Sequence, residues 1–557
     1  MDWIKESVMY NIYPLGFAGA PRENDFNLEY RLDKIYDWID NFKKLNVNTI
    51  VFNPVFESTR HGYDTIDYYK IDSRLGDNNS FKEICRTLHD NGIRIILDGV
   101  FNHVGRDFFA FKDVQQNREN SQYCSWFMNL NFGGNNHYND GFCYEGWAGH
   151  IDLVKLNLDN SQVVDHLIGA AKFWIEEFGI DGLRLDAADC INLEFFKKLR
   201  NTCFELKPDF WLYGEIIGGD YNRWANENAL HSVTNYECYK GIYSSHNDHN
   251  YFEIAHSLNR QFGDGGIYRN IYTFNFVDNH DVNRIASMLK EKAHLKNVYT
   301  VLYTMPGVPC IYYGSEWAIE GTRTKFSDYE LRPCLDIDSI PNPNTEVYNH
   351  LCRLGKIRRA LPALKFGSYR NINIKNEQLV FMRACEGQTV YVALNLASND
   401  FTIDFNVDGG SVLTDMLTGE SFEADGYARI PLTPCSSRIL VLNDGSFKAE
   451  LEDEKIIPVE NNINEDIILS ENNNTAESAE PAETELTPIT AAPGRYRHFK
   501  GNEYEVIAIA KDSETLEDVV IYQALYGGRE IWVRNRKNFE EIIERDGKKI
   551  RRFEKID

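Results

Sequence analysis

The sequence predicts an α/β fold, a (β/α)8 barrel, on three observations. Eight short apolar runs recur between residues 8 and 316, each with room for a helix before the next. The runs show little polar alternation, as expected of parallel strands covered on both faces. Polar residues collect at their C-terminal ends, namely Asp98, Asn102, His103, Asp186, Glu215, His280 and Asp281. That end is where such a barrel carries its site.

VMYNIYP (8–14) is the first strand candidate, and a helical pattern follows from about Leu32 to Leu45. VNTIVFNPV (47–55) is the second, followed by a loop dense in Tyr and Asp, HGYDTIDYYKID (61–72). A helix over 80–91 leads to GIRIILDGVFNH (92–103), a third apolar run that ends on polar side chains. Residues 104–155 interrupt the rhythm; they are rich in Asn, Gly, Phe, Tyr and Trp and read as an inserted segment. The rhythm returns at Ser161, a candidate N-cap. Val164, Leu167, Ile168, Ala171, Ile175 and Phe178 then take the spacing of a core-facing helix. The strand GLRLD (182–186) comes next, then FWLYGE (210–215), SVTNYE (232–237), IYTFNFVDNHD (271–281) and VPCIYYGSE (308–316).

From about Phe366 the period falls to two, clearest in TVYVALNL (389–396) and FTIDFNV (401–407), which predicts a C-terminal antiparallel β-sandwich. Residues 450–485 hold twelve acidic residues against Lys455 alone, the composition of a solvated, disordered spacer. Short strands resume from residue 494 as a small extra all-β domain. The expected organisation is therefore a barrel over 1–103 and 156–362, an insert over 104–155 and a sandwich over 363–443. An acidic linker over 444–493 and a terminal module over 494–557 complete it.

The net charge of −25 argues against nucleic-acid partners and an anionic membrane surface. No stretch is apolar for long enough to span a bilayer, and the N-terminus lacks the pattern of a secretory signal. Eleven cysteines without CxxC spacing read as reduced thiols, hence a cytoplasmic protein.

Arg184 and Asp186 are two apart on a strand and share one face. Cleaving an acetal between sugars needs two carboxyls, one protonated acid and one ionised nucleophile or base. Glu215 closes the apolar strand FWLY, where desolvation would keep it protonated. The guanidinium of Arg184 would favour the charged form of Asp186. His103 and His280 can donate to sugar hydroxyls, and Tyr63 offers a flat face to a pyranose ring.

These residues resemble the α-amylase family of glycoside hydrolases, family 13. DGVFNH (98–103), GLRLDAAD (182–189), YGEI (213–216) and FVDNHD (276–281) are similar to its four signature regions. NTIVFNPVFES (48–58), GVPCIYYGSE (307–316) and KLN (155–157) are similar to its flanking motifs. The resemblance implies Asp186 as nucleophile, Glu215 as general acid/base and Asp281 as transition-state stabiliser. Tyr63, Asp98, His103, Arg184 and His280 would bind the sugar under attack. It also implies retention of configuration, with carboxyls about 5–5.5 Å apart. HGYDTIDYYKID and LVKLN look most like the cyclomaltodextrinase, neopullulanase and maltogenic-amylase group, whose substrates are α-glucan oligosaccharides. Secreted members place a calcium-site His four residues after the nucleophile; Cys190 stands there although Asn102 is kept, so no cofactor is expected and calcium stays open. A glucanotransferase or sucrose-acting enzyme on the same scaffold stays open, as does a non-catalytic assembly protein, and oligomeric state is not specified. GRYRHFKGNEY, VVIYQALYG and RRFEKI resemble a small bacterial domain of unknown function. Tyr496, Tyr522, Tyr526 and Trp532 suggest a binding surface there.

Overall fold

The computed structural model describes residues 2–325, 327–445, 491–498, 503–511, 517–525, 531–545 and 548–556. The acidic spacer over 450–485 and Tyr526 lie outside the described residues. The chain divides into two compact units, Met1–Glu460 and Asn461–Asp557.

Each of the eight apolar runs contains a strand of one parallel sheet: β1 (Met9–Ile12), β2 (Thr49–Phe52), β3 (Arg94–Gly99), β4 (Gly182–Leu185), β5 (Trp211–Gly214), β6 (Ser232–Val233), β7 (Phe274–Asn275) and β8 (Val308–Tyr312). Their order is β6-β5-β4-β3-β2-β1-β8-β7, and a parallel bridge between Thr234 and Phe274 joins the two ends into a barrel. Alternate residues divide the packing. Met9, Val51, Ile96, Trp211, Phe274 and Val308 form one buried cluster. Tyr10, Ile50, Ile95, Leu183 and Leu212 pack in a second one with the surrounding helices.

The strands are shorter than the apolar runs. The third ends at Gly99, and His103 opens a separate strand, His103–Gly105. The sixth ends at Val233, because the Asn235 side chain accepts from the Cys238 N–H and starts a helix at Tyr236–Asn247. The helical pattern after residue 31 divides into a 3-10 turn, Arg31–Trp38, and an α-helix, Ile39–Lys44. Helix Ser161–Phe178 is capped by Asn160 rather than Ser161, the Asn160 side chain accepting from Gln162 N–H. It ends at Gly179, whose φ of 69° a glycine adopts without strain.

The segment after β3 is not irregular. It contains helix Phe109–Asn117 and a small antiparallel sheet of His103–Gly105, His150–Lys155 and Gly146–Trp147. Beyond the barrel, six antiparallel strands between Ser368 and Asn443 form one sheet, and Phe401–Asn406 pairs with Tyr427–Leu432 in a second.

The second unit is a five-stranded antiparallel sheet with a separate hairpin, Ile542–Arg545 and Lys548–Arg551. It also carries one short helix, Arg536–Glu540, which the alternation of the sequence does not announce. Its core contains Tyr496, Val520, Tyr522, Phe539 and Phe553. Tyr496 and Tyr522 are therefore packing residues, not the surface aromatics the sequence suggested, while Trp532 is half exposed.

Candidate active site

Strand register sets the floor of the site. Arg184 on β4 lies level with Asp98 on β3 and with Tyr213 on β5. Asp186 and Glu215 stand just past their strands. The Asp186 N–H donates to the Gly99 carbonyl at 3.1 Å, and the Glu215 N–H to the Leu185 carbonyl at 2.9 Å. Ala187, directly after Asp186, sits at φ 44°, a region that costs a residue with a Cβ of order 1 kcal/mol or more. Its N–H points back to Glu215 Oε2 at 3.4 Å. The strain lets the chain turn sharply while both carboxyls stay at the mouth of the barrel.

Arg184 is shared by three carboxyls. Its guanidinium contacts Asp98 most closely, reaches Glu215 Oε2 at 2.7 Å and approaches Asp186 Oδ1 at 3.4 Å. The ground state thus differs from the division expected from sequence, because Arg184 serves Asp98 and Glu215 before Asp186. Burial pushes the Asp186 carboxyl well above the ordinary carboxylate range. Arg184 opposes this, and the neighbouring Glu215, Asp98 and Asp281 reinforce it. Asp98 is also raised by burial, against Arg184 and His280. One guanidinium cannot neutralise three carboxylates, so this cluster holds a proton more tightly than isolated carboxyls would.

The other side chains close around it. The Tyr63 hydroxyl donates to Asp98 Oδ2 at 3.1 Å, accepts from Asn53 Nδ2 at 3.0 Å and lies 2.5 Å from His280 Nε2. The Tyr63 and His280 rings stack with centroids 5.4 Å apart. Asn279 turns the chain after β7 by accepting from the Asp281 and Val282 N–H groups. Asp281 then meets His280 Nε2 at 2.9 Å and Arg332 at 3.3 Å. His280 and Arg332 outweigh burial and hold its carboxyl far below the usual range. Burial pushes His103 down to about 3, so its imidazole is neutral. The Asn102 amide donates to His103 Nδ1 at 3.2 Å, which leaves the proton on Nε2. That Nε2–H is buried without a partner, 4.0 Å from Asp186 Oδ2.

The structure gathers all eight residues singled out in the sequence: Tyr63, Asp98, His103, Arg184, Asp186, Glu215, His280 and Asp281. It adds others that the spacing did not indicate. Arg332 comes from the loop after β8, bonds Asp281 and Asp328, and lies over the Tyr13 ring at 4.4 Å. The Tyr236 hydroxyl donates to Glu215 Oε1 at 3.3 Å. Asn53 did leave a trace, as a polar residue at the end of an apolar run. Cys190, four residues after Asp186, is exposed.

A family model described as alpha amylase, catalytic domain, matches residues 11–339, more than half of the chain. The chain belongs to the α-amylase family of glycoside hydrolases, family 13. A maltogenic amylase C-terminal domain model matches residues 369–439, and a model described as a protein of unknown function matches residues 494–555. A cyclomaltodextrinase of Thermoanaerobacter pseudethanolicus is 31% identical over 463 residues, covering 79% of this chain and 78% of its own. An intracellular maltogenic amylase of Bacillus subtilis is 28% identical, covering 75% and 73%. Among solved structures, a cyclomaltodextrinase superposes with a TM-score of 0.71 at 26% identity, covering 79% and 78%. This family 13 enzyme is thus like the cyclomaltodextrinases and maltogenic amylases. Among the described residues no helix is long and apolar enough to cross a membrane.

Proposed function

We propose that this enzyme is a retaining α-glucoside hydrolase cleaving α-1,4 bonds of maltodextrins and cyclodextrins. The observation that carries the reading is the single guanidinium of Arg184 serving Asp98, Asp186 and Glu215 together. The proton retained by this cluster is the one the first step consumes. The step requires that proton to pass from Asp186 to Glu215 as substrate binds; Glu215 then gives it to the glycosidic oxygen as that bond breaks, and Asp186, now ionised, forms an ester bond to the anomeric carbon. Water then attacks the same carbon, loses its proton to Glu215 and releases Asp186, so configuration is retained.

Asp281, held ionised by His280 and Arg332, faces the positive charge that builds on the sugar in both transition states. The free Nε2–H of His103 donates to a sugar hydroxyl, and the Tyr63 ring provides the floor beneath the pyranose. The names of the relatives support α-glucan oligosaccharides as substrates. A cytoplasmic setting is supported by eleven free cysteines and by the intracellular relative.

The test is a product panel on maltotriose, β-cyclodextrin, pullulan, starch and sucrose, with Asp186→Asn as control. Maltose and glucose of retained configuration from the first two are the expected products. Release from sucrose alone, or activity surviving in Asp186→Asn, would overturn the proposal. Longer products from maltotriose would make it a transferase.

A further inference from the structure

A second cluster of chemistry-bearing side chains lies where the barrel meets the C-terminal sheet. His249 follows helix Tyr236–Asn247, Glu291 and His294 precede helix Leu295–Thr304, and Glu377 precedes strand Gln378–Cys385. One nitrogen or carboxylate oxygen from each of His249, Glu291 and His294 lies within 4.8 Å of the others. His249 Nε2 is 2.7 Å from Glu291 Oε1, and His294 Nε2 is 3.8 Å from Glu291 Oε2. The Leu396 carbonyl oxygen lies 3.1 Å from the same His294 nitrogen. None of these residues contributes to the glycosidase site.

We infer that His249, Glu291 and His294 form a binding site for a single divalent transition metal of the zinc type. Two imidazoles and a carboxylate are the donor set that suits such an ion, and the Leu396 carbonyl is a fourth donor within reach. Bonds of about 2.0–2.1 Å at tetrahedral angles separate ligand atoms by about 3.4 Å. The contacts of 2.7 Å to Glu291 Oε1 and 3.1 Å to the Leu396 oxygen are a little shorter than that, and one donor atom from each of the three residues lies within 4.8 Å of the others.

The surroundings support the assignment. His249 Nδ1 lies 2.8 Å from Glu377 Oε1, the carboxylate–imidazole contact that fixes a metal-binding ring with its other nitrogen toward the ion. Both nitrogens of His249 face carboxylate oxygens, Nδ1 that of Glu377 and Nε2 that of Glu291. His249 also sits at φ 50°, a backbone conformation that a non-glycine residue adopts only where its surroundings impose it. Barrel residues 249, 291 and 294 and sheet residues 377 and 396 would then meet at one ion, which would join the two layers.

The full chain, stripped with chelator and titrated with Co2+, provides the test, because eleven thiols make stoichiometry alone ambiguous. The expected result is one tight site per chain with visible ligand-field bands and no thiolate charge-transfer band. His249→Gln, at a partly exposed position, should weaken that site by about 100-fold or more. Glu377→Gln should weaken it by about 10–100-fold, the usual effect of losing an outer hydrogen-bond partner. Far-ultraviolet circular dichroism checks that both variants are folded. No retained metal, a thiolate spectrum, or a His249→Gln variant that binds Co2+ as tightly as the parent would each overturn the inference.

Discussion

Two buried arginines in this barrel meet carboxylates in opposite ways. Arg74 is wholly buried and meets Asp72 in a fork, with Nε at 2.8 Å from Oδ1 and Nη2 at 2.7 Å from Oδ2. Its remaining donors reach the carbonyls of Pro21, Arg22 and Arg60 and the Ser58 hydroxyl. Every group there has a partner. Arg184 has three carboxyls and one positive charge to share among them, and Asp98 Oδ1 and His103 Nε2 stay buried and unbonded beside it. Unmet polar atoms cost about 1–3 kcal/mol each. The satisfied pair holds loops together, whereas the unsatisfied one leaves donors, acceptors and a proton available to a substrate.

The sharpest way to break that contrast is Asp186→Asn. An amide cannot form the glycosyl ester, so kcat/KM should fall by at least about four orders of magnitude. Stability should move the other way. The raised Asp186 carboxyl binds a proton in the native state that the unfolded state has lost, so it costs stability as pH rises above about 3.9. The variant should melt at or above the parent temperature at pH 7, with the advantage shrinking toward pH 4. A variant less stable than the parent at pH 7 would show that Asp186 is a structural partner of Arg184.

Arg74→Ala should do the reverse, leaving a buried carboxylate without its cation at a cost of about 3–5 kcal/mol. A urea midpoint within error of the parent would abolish the distinction between the two arginines.

The same contrast explains what could be read from the sequence. The eight strands were legible because burial on both faces demands unbroken apolar runs, and the carboxyls because they end those runs. Arg184 and Asp186 were legible as one face of a strand. Their energetics were not, since which carboxyl a guanidinium serves first depends on side-chain paths across three strands. Arg332 was hidden for a similar reason: it acts from a loop, where no period marks a position. The insert looked irregular because its strands are as short as Gly146–Trp147, too brief to show alternation. Tyr496 and Tyr522 looked available for binding only because a small unit must use its aromatics as core.

Glu316 is a third case, a buried carboxyl that forms no ion pair among the described residues. It accepts from the Tyr10 hydroxyl at 2.6 Å and from Asn41 Nδ2 at 3.2 Å, and burial pushes it up to about 7 from an ordinary 4.5. A raised carboxyl gives stability at low pH that is lost as pH rises, here between about 4.5 and 7. The integrated loss is of order 3 kcal/mol. Glu316→Gln should remove that slope, making the variant more stable than the parent at pH 7.5 and equal to it near pH 4.5. Parallel pH profiles for the two would mean that Glu316 is ionised as readily when folded as when unfolded.

The smallest and most discriminating change is Tyr63→Phe. It keeps the ring that stacks on His280 and removes the hydroxyl placed between Asp98, Asn53 and His280. In a satisfied network like that of Arg74, such a deletion would appear mainly as lost stability. Around Arg184 the hydroxyl adds one neutral donor to carboxyls already short of partners, and it orients His280 against Asp281. The loss should therefore appear in kcat/KM, by roughly 10–100-fold, the worth of about 1.5–3 kcal/mol for a hydrogen bond to a charged group. The melting temperature should change little, since the Asp98 oxygen that loses the hydroxyl keeps Arg184 and Asn53 as donors. A variant that loses stability but keeps its kcat/KM would place Tyr63 with Arg74, among the groups that hold the barrel together.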